Sequence, residues 1–107
     1  MVIRRADIWM VSLDPTIGRE IKKMRPCMII SPDEANKYLD TVIIPPLTST
    51  VRHYPSRVNC TFNNQKGQIV IDQIRSVDKI RLVKKLGIID EKTAVEVFNL
   101  LQAYFDY

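Results

Sequence analysis

Residues 14–31, DPTIGREIKKMRPCMIIS, set a glycine-centred basic loop directly against an apolar strand. Arg25 precedes Pro26, so its backbone is biased toward extended geometry, and residues 27–30 read as a short buried strand that anchors it. Gly18 gives the loop a place to turn or hinge. Lys22 and Lys23 add positive charge beside Arg25, and a planar guanidinium held rigidly in place is what a phosphate site needs.

Working outward from that stretch, residues 6–13 alternate as a strand, with Trp9, Val11 and Leu13 on one face and Ile8 and Met10 on the other, ended by Asp14 and Pro15. On the other side, SPDEANKY predicts one or two helical turns. Ser31 stands as N-cap, Pro32 at the first helical position, and Asp33 and Glu34 near the positive end of the dipole. Residues 41–47 form a near-continuous branched apolar run, which suits a strand buried on both faces or wrapped in a small barrel. Pro45 and Pro46 remove two backbone donors just before Thr48, implying an edge or bulged strand there. Further strands are expected over 57–61 and within 68–77, a turn at FNNQKG, and a short helical turn over 79–82. Asp90 can cap a long helix whose apolar positions Ala94, Val97, Phe98, Leu101, Tyr104 and Phe105 keep three-to-four spacing, broadened by Val95, Leu100 and Ala103. Five to seven short strands followed by one long C-terminal helix predict a mainly β fold with α. The architecture expected is a small barrel-like antiparallel sheet with the helix packed on it, as one domain over residues 1–107.

Composition narrows the class. With 46% hydrophobic and 26% charged residues, the chain falls in the globular range. Its longest uncharged run, residues 41–51, is too short to span a bilayer, and MVIRRADIWM lacks the apolar core of a signal peptide, so a cytoplasmic protein with no membrane segment is expected. Cys27 and Cys60 lie far apart and only His53 is available to join them, so no metal or other cofactor is expected, and the thiols read as reduced and buried. The net charge is +4. It is unevenly spread: Arg75, Lys79, Arg81, Lys84 and Lys85 face Asp78 alone, whereas Asp90, Glu91, Glu96 and Asp106 face Lys92. The basic half points toward a polyanion or an acidic protein segment.

Four stretches in order carry a resemblance: RRADIWMVSLDPTIGRE (4–20), KKMRPCMIIS (22–31), TVIIPPLTST (41–50) and IVIDQIRSVDKIRLVKKLG (69–87). Together they resemble the MazF family, also called PemK-like, of toxin endoribonucleases (mRNA interferases) from type II toxin–antitoxin systems. The resemblance implies a CcdB/MazF-like, SH3-like barrel and a homodimer that cuts single-stranded RNA at a short sequence without a metal. It also implies a partner, a MazE-like antitoxin whose acidic, flexible C-terminal tail blocks the RNA groove. Ala6 departs from the usual glycine of an RRGD opening, a change read as harmless. Lys22-Lys23 replaces a glycine-rich or small-residue stretch and makes the loop stiffer and more cationic. Arg19 and Val70 stand where some plasmid-borne relatives carry a histidine and an arginine, so the acid-base scheme proposed for those relatives does not transfer intact.

Metal-free RNA cleavage uses the ribose 2′-hydroxyl as nucleophile and leaves a 2′,3′-cyclic phosphate and a 5′-hydroxyl. The enzyme must help remove a proton, stabilise charge on the phosphoryl oxygens and assist the departing oxygen. Arg25 matches the family's catalytic arginine and suits the second task, since a guanidinium fork holds two phosphoryl oxygens. Thr48 matches the hydroxyl partner and can position the phosphate or relay a proton; the alternative is a plain strand-end cap. Gly18, Arg19, Glu20, Lys22, Lys23, Ser49, Gln73 and Arg75 are the candidate RNA contacts, although Ser49 and Thr50 read first as turn residues. Asp72 either points outward or is buried with a partner, Arg75 or Arg25. His53 lies in a loop with no assigned role. Two other classes stay open: a non-catalytic gyrase-poison-like toxin on the same barrel, acting through the C-terminal helix, and a plain RNA-binding barrel.

Overall fold

The computed structural model describes residues 1–13 and 23–107. Among them, eight strands and two α-helices follow in the order β1 (Asp7–Ser12), β2 (Met24–Met28), α1 (Asp33–Tyr38), β3 (Thr41–Ile44), β4 (Leu47–Thr48), β5 (Arg57–Phe62), β6 (Gln65–Val70), β7 (Arg75–Asp78), β8 (Leu82–Ile88) and α2 (Glu91–Tyr104). Short 3₁₀ turns precede and follow β7, at Ile71–Gln73 and Lys79–Arg81. The strands pair antiparallel in three short sheets, β2-β1-β8, β3-β7 and β4-β6-β5, which wrap the core without closing into one hydrogen-bonded ring. The mainly β architecture with one long C-terminal helix is the one the sequence predicts. Among the described residues, no helix is long and apolar enough to cross a membrane.

The period-two alternation of β1 has a direct structural cause, because this strand runs between two cores. Ile8 enters one with Met28, Ile69 and Val97, while Trp9 and Val11 enter the other with Cys27, Ile29 and Val42. Each fully buried side chain of this size stabilises the fold by roughly 1.5–3 kcal/mol. The helix α2 covers the first core through Ala94, Val97, Phe98 and Leu101. Tyr104 and Phe105, expected on the same stripe, instead lie 51% and 64% exposed at the helix end, where their rings meet edge to face. Asp90 caps α2 as expected: its carboxylate accepts from the Thr93 N–H at 3.0 Å and the Thr93 hydroxyl at 2.9 Å. Those two bonds hold the carboxyl below its ordinary range.

Two local expectations change. Ser31 does not cap α1, because its hydroxyl is engaged by the Asn36 side chain and accepts from the Ile43 N–H at 3.1 Å, tying the helix to β3. The β8 strand was not expected at all. Its pairing with β1 shifts register between Ile8 and Trp9 and again between Met10 and Val11, which erases the alternation a strand normally shows. The turn at FNNQKG is a hairpin in which Asn63 and Asn64 take positive φ of 50° and 63°, the conformation a tight two-residue loop demands.

Ala6 also has positive φ, at 75°. It is held there by two backbone bonds, its N–H to the Ile29 carbonyl at 2.8 Å and the Ile89 N–H to its own carbonyl at 2.9 Å. A Cβ in this conformation costs roughly 1–2 kcal/mol. The alanine is therefore not harmless, and Ala6→Gly is expected to stabilise the protein by about 1 kcal/mol, read as a higher urea midpoint at unchanged slope.

Candidate functional site

Pro45 and Pro46 split the 41–47 run into β3 and β4, and their carbonyls still serve as acceptors: Pro45 takes the Met28 N–H at 3.1 Å and Pro46 the Val70 N–H at 2.9 Å. An isolated antiparallel bridge pairs Cys27 with Pro46. Two residues back along β2 and two residues on along β4, this register brings Arg25 and Thr48 to facing positions. Both line one cavity of about 460 Å³, with Lys23, Ser49, Lys66 and Gly67 among its other walls.

Arg25 is exposed on the short arm of β2, directly before the buried Cys27 and Met28 that fix the strand. Among the described residues, Lys85 with Asp7 is the one ion pair, so neither Asp33 nor Asp72 neutralises Arg25. Asp33 accepts instead from the Arg5 N–H at 2.6 Å, and Asp72, expected to pair with Arg75 or Arg25, accepts from the Ser56 hydroxyl at 3.0 Å. Thr48 is half-buried, and its Oγ1 accepts from the Thr50 N–H at 3.1 Å. That bond occupies one lone pair and leaves the hydroxyl proton available to the cavity. On the opposite wall, a Cβ at Gly67 would stand 2.5 Å from the Thr48 carbonyl oxygen, so only glycine lets β6 press this closely on β4.

The thiols are not the chemical groups of this site. Burial pushes Cys27 up to about 12 against the pull of Arg25 and Arg75, and burial with the charge of Asp90 pushes Cys60 up to about 11. Both stay protonated at neutral pH and pack as small apolar groups.

A second cleft, of about 370 Å³, shares Lys23, Arg25, Thr48 and Thr50 with the first and adds Gln73, Arg75, Arg52 and Arg57. The structure thus brings together Arg25, Thr48, Lys23, Ser49, Gln73 and Arg75 on two adjoining cavities. The candidates Gly18, Arg19, Glu20 and Lys22 lie outside the described residues. His53 is exposed and lines neither cleft. Sequence reasoning missed Lys66, Arg52 and Arg57. The last two flank a stretch of irregular chain with no period to read, and only the fold brings them beside Arg25.

Residues 4–105 match the family described as "PemK-like, MazF-like toxin of type II toxin-antitoxin system". The endoribonuclease MazF of Staphylococcus epidermidis is 36% identical over 106 residues, covering 94% of this chain and 88% of that protein. Among solved structures, MazF from Deinococcus radiodurans superposes with a TM-score of 0.83 at 23% identity, covering 100% of this chain and 99% of that one. A MazE–MazF structure from the same organism gives a TM-score of 0.84 at 24% identity, covering 97% and 96%. These two likenesses establish the fold.

Proposed function

Because the chain belongs to the PemK-like, MazF-like toxins of type II toxin–antitoxin systems, we propose that it is a sequence-specific endoribonuclease cutting single-stranded mRNA. The observation that carries this reading is the meeting of Arg25 and Thr48 in one cavity whose walls supply cations and hydroxyls. Such a surface suits a phosphodiester.

In the proposed reaction the 2′-hydroxyl loses its proton to solvent water and attacks the adjacent phosphorus; the O2′–P bond forms as the P–O5′ bond breaks, and the departing 5′-oxygen takes a proton from water. One strand end then carries a 2′,3′-cyclic phosphate and the other a 5′-hydroxyl. Arg25 binds the two non-bridging oxygens and stabilises the charge that grows on them, an effect strengthened by a site that holds its donors in place beforehand. Thr48, with its oxygen already accepting from Thr50 N–H, donates a hydrogen bond to a phosphoryl oxygen and fixes the phosphate's orientation. Lys23, Ser49, Gln73 and Arg75 bind the flanking strand, joined by Gly18, Arg19, Glu20 and Lys22. The steps need no metal. The protein works as a single-domain cytoplasmic homodimer restrained by an antitoxin with an acidic C-terminal tail; the MazE–MazF structure among its structural relatives supports a MazE-like antitoxin as the partner.

The test is cleavage of a long transcript in excess chelator, with cut sites mapped by primer extension. Breaks at one recurring short sequence are expected, with 5′ ends that polynucleotide kinase labels without prior phosphatase. Loss of cutting in chelator, or ends that resist labelling, would overturn the metal-free scheme.

A further inference from the structure

Gln68 is a buried amide, 4% exposed, on β6. Its side chain holds the backbone of a residue sixteen positions earlier on both sides: it accepts from the Arg52 N–H at 3.0 Å and donates to the Arg52 carbonyl at 3.0 Å. A further bond to Asn59 Oδ1 at 2.9 Å locks the amide's orientation. The outcome is an exposed arginine whose main chain is as firmly tied as a strand residue.

Its neighbour Arg57 is held as well. Nη1 donates to the Thr50 carbonyl at 3.1 Å and lies 3.4 Å from Gln68 Oε1, and the guanidinium sits over the Tyr54 ring at 5.4 Å. Among the described residues, its buried Nε has no partner. Arg52, Arg57 and Arg75 therefore line the second cleft together with Lys23 and Arg25, and among the described residues no carboxylate lies on its walls. Like charges this close repel unless an anion lies between them.

We infer that the second cleft seats a backbone phosphate next to the scissile one on the same RNA strand, with Arg52 and Arg57 as its binding residues. This rests on the endoribonuclease reading. The shared wall of Arg25 and Thr48 favours RNA over an acidic peptide, since a strand whose phosphate reacts at Thr48 continues directly into this cleft. Gln68 is a positioning residue here. It sets the Arg52 backbone before substrate arrives, so less ordering is left for the binding step.

Arg52→Ala removes only the exposed side chain and leaves the Gln68 bonds, which go to the backbone, in place. On a short RNA carrying one cut site, KM is expected to rise about tenfold, the loss typical of one charge-assisted contact, with kcat within about twofold. The slope of log kcat/KM against log salt should fall by about 0.7 in magnitude, the share of one phosphate on a single strand. A methylphosphonate at the phosphate beside the scissile one should raise KM similarly for the unaltered protein and add nothing further for Arg52→Ala. If the variant keeps the original KM and salt slope, or the uncharged linkage penalises both proteins fully, the inference fails while the endoribonuclease reading stands. Should Arg52→Ala lose affinity for an acidic peptide and cut RNA normally, the cleft serves a protein partner and the inference is likewise overturned. A wild-type protein that leaves RNA intact sinks both.

Discussion

Replacing Arg25 with alanine is expected to slow RNA cleavage by about 100-fold or more, the loss seen when a donor to transition-state charge is removed. The fold should not notice. The side chain is exposed on β2, and the strand is anchored by Cys27 and Met28, not by the guanidinium. Urea midpoints of the two proteins should therefore agree within about 0.5 kcal/mol, as for an ordinary surface substitution. Arg25→Lys sharpens the test, because it keeps the charge and loses the planar fork. A rate between those of wild type and alanine is expected, carried mainly by kcat. If alanine at this position cuts RNA at the wild-type rate, the cavity shared with Thr48 is not where the chemistry happens.

The second large effect falls on stability. Asp7 is 1% exposed, and its Oδ2 accepts from the Arg4 N–H at 2.8 Å and the Trp9 Nε1–H at 3.4 Å. Oδ1 lies 3.3 Å from Lys85 Nζ, an ionic contact without hydrogen-bond geometry. Lys85 is 41% exposed, so the ion pair contributes little after solvent screening. The larger part comes from the hydrogen bonds. Without the carboxylate, the indole N–H of buried Trp9 and the Arg4 N–H lose their acceptor, and an orphaned buried donor costs about 1–3 kcal/mol. Asp7→Ala is expected to destabilise the protein by about 3 kcal/mol, read from the urea midpoint at constant slope, whereas Asp7→Asn keeps an acceptor and should cost less than half of that. Equal losses for the two variants would show that charge, not hydrogen bonding, is what Asp7 contributes.

The sequence made the strands that carry alternation legible, and the reason is now visible. The first strand lies between two cores, so both of its faces write apolar residues into the chain. The C-terminal helix was legible from the Asp90 cap and from Ala94, Val97, Phe98 and Leu101, which cover a core; Tyr104 and Phe105 keep the spacing but extend past the sheet. Strand β8 escaped because two register shifts against β1 break its period. At the site, Arg25 and Thr48 were legible through the resemblance of their flanking motifs. Arg52 and Arg57 were not: Arg52 is tied by its main chain to a buried glutamine, and Arg57 reaches the cleft through the tertiary placement of its guanidinium. Bonds from a side chain to a distant backbone leave no pattern in composition or spacing.

Because Gly67 has no Cβ, β6 packs against the Thr48 carbonyl, so the spacing of the two strands beneath the proposed site is set by main chain. One methyl group at residue 67 would stand 2.5 Å from the Thr48 carbonyl oxygen, so β6 and β4 would have to shift apart at Thr48 while every charged residue kept its identity. Gly67→Ala is therefore expected to slow RNA cleavage while leaving RNA binding in a filter assay near the wild-type level.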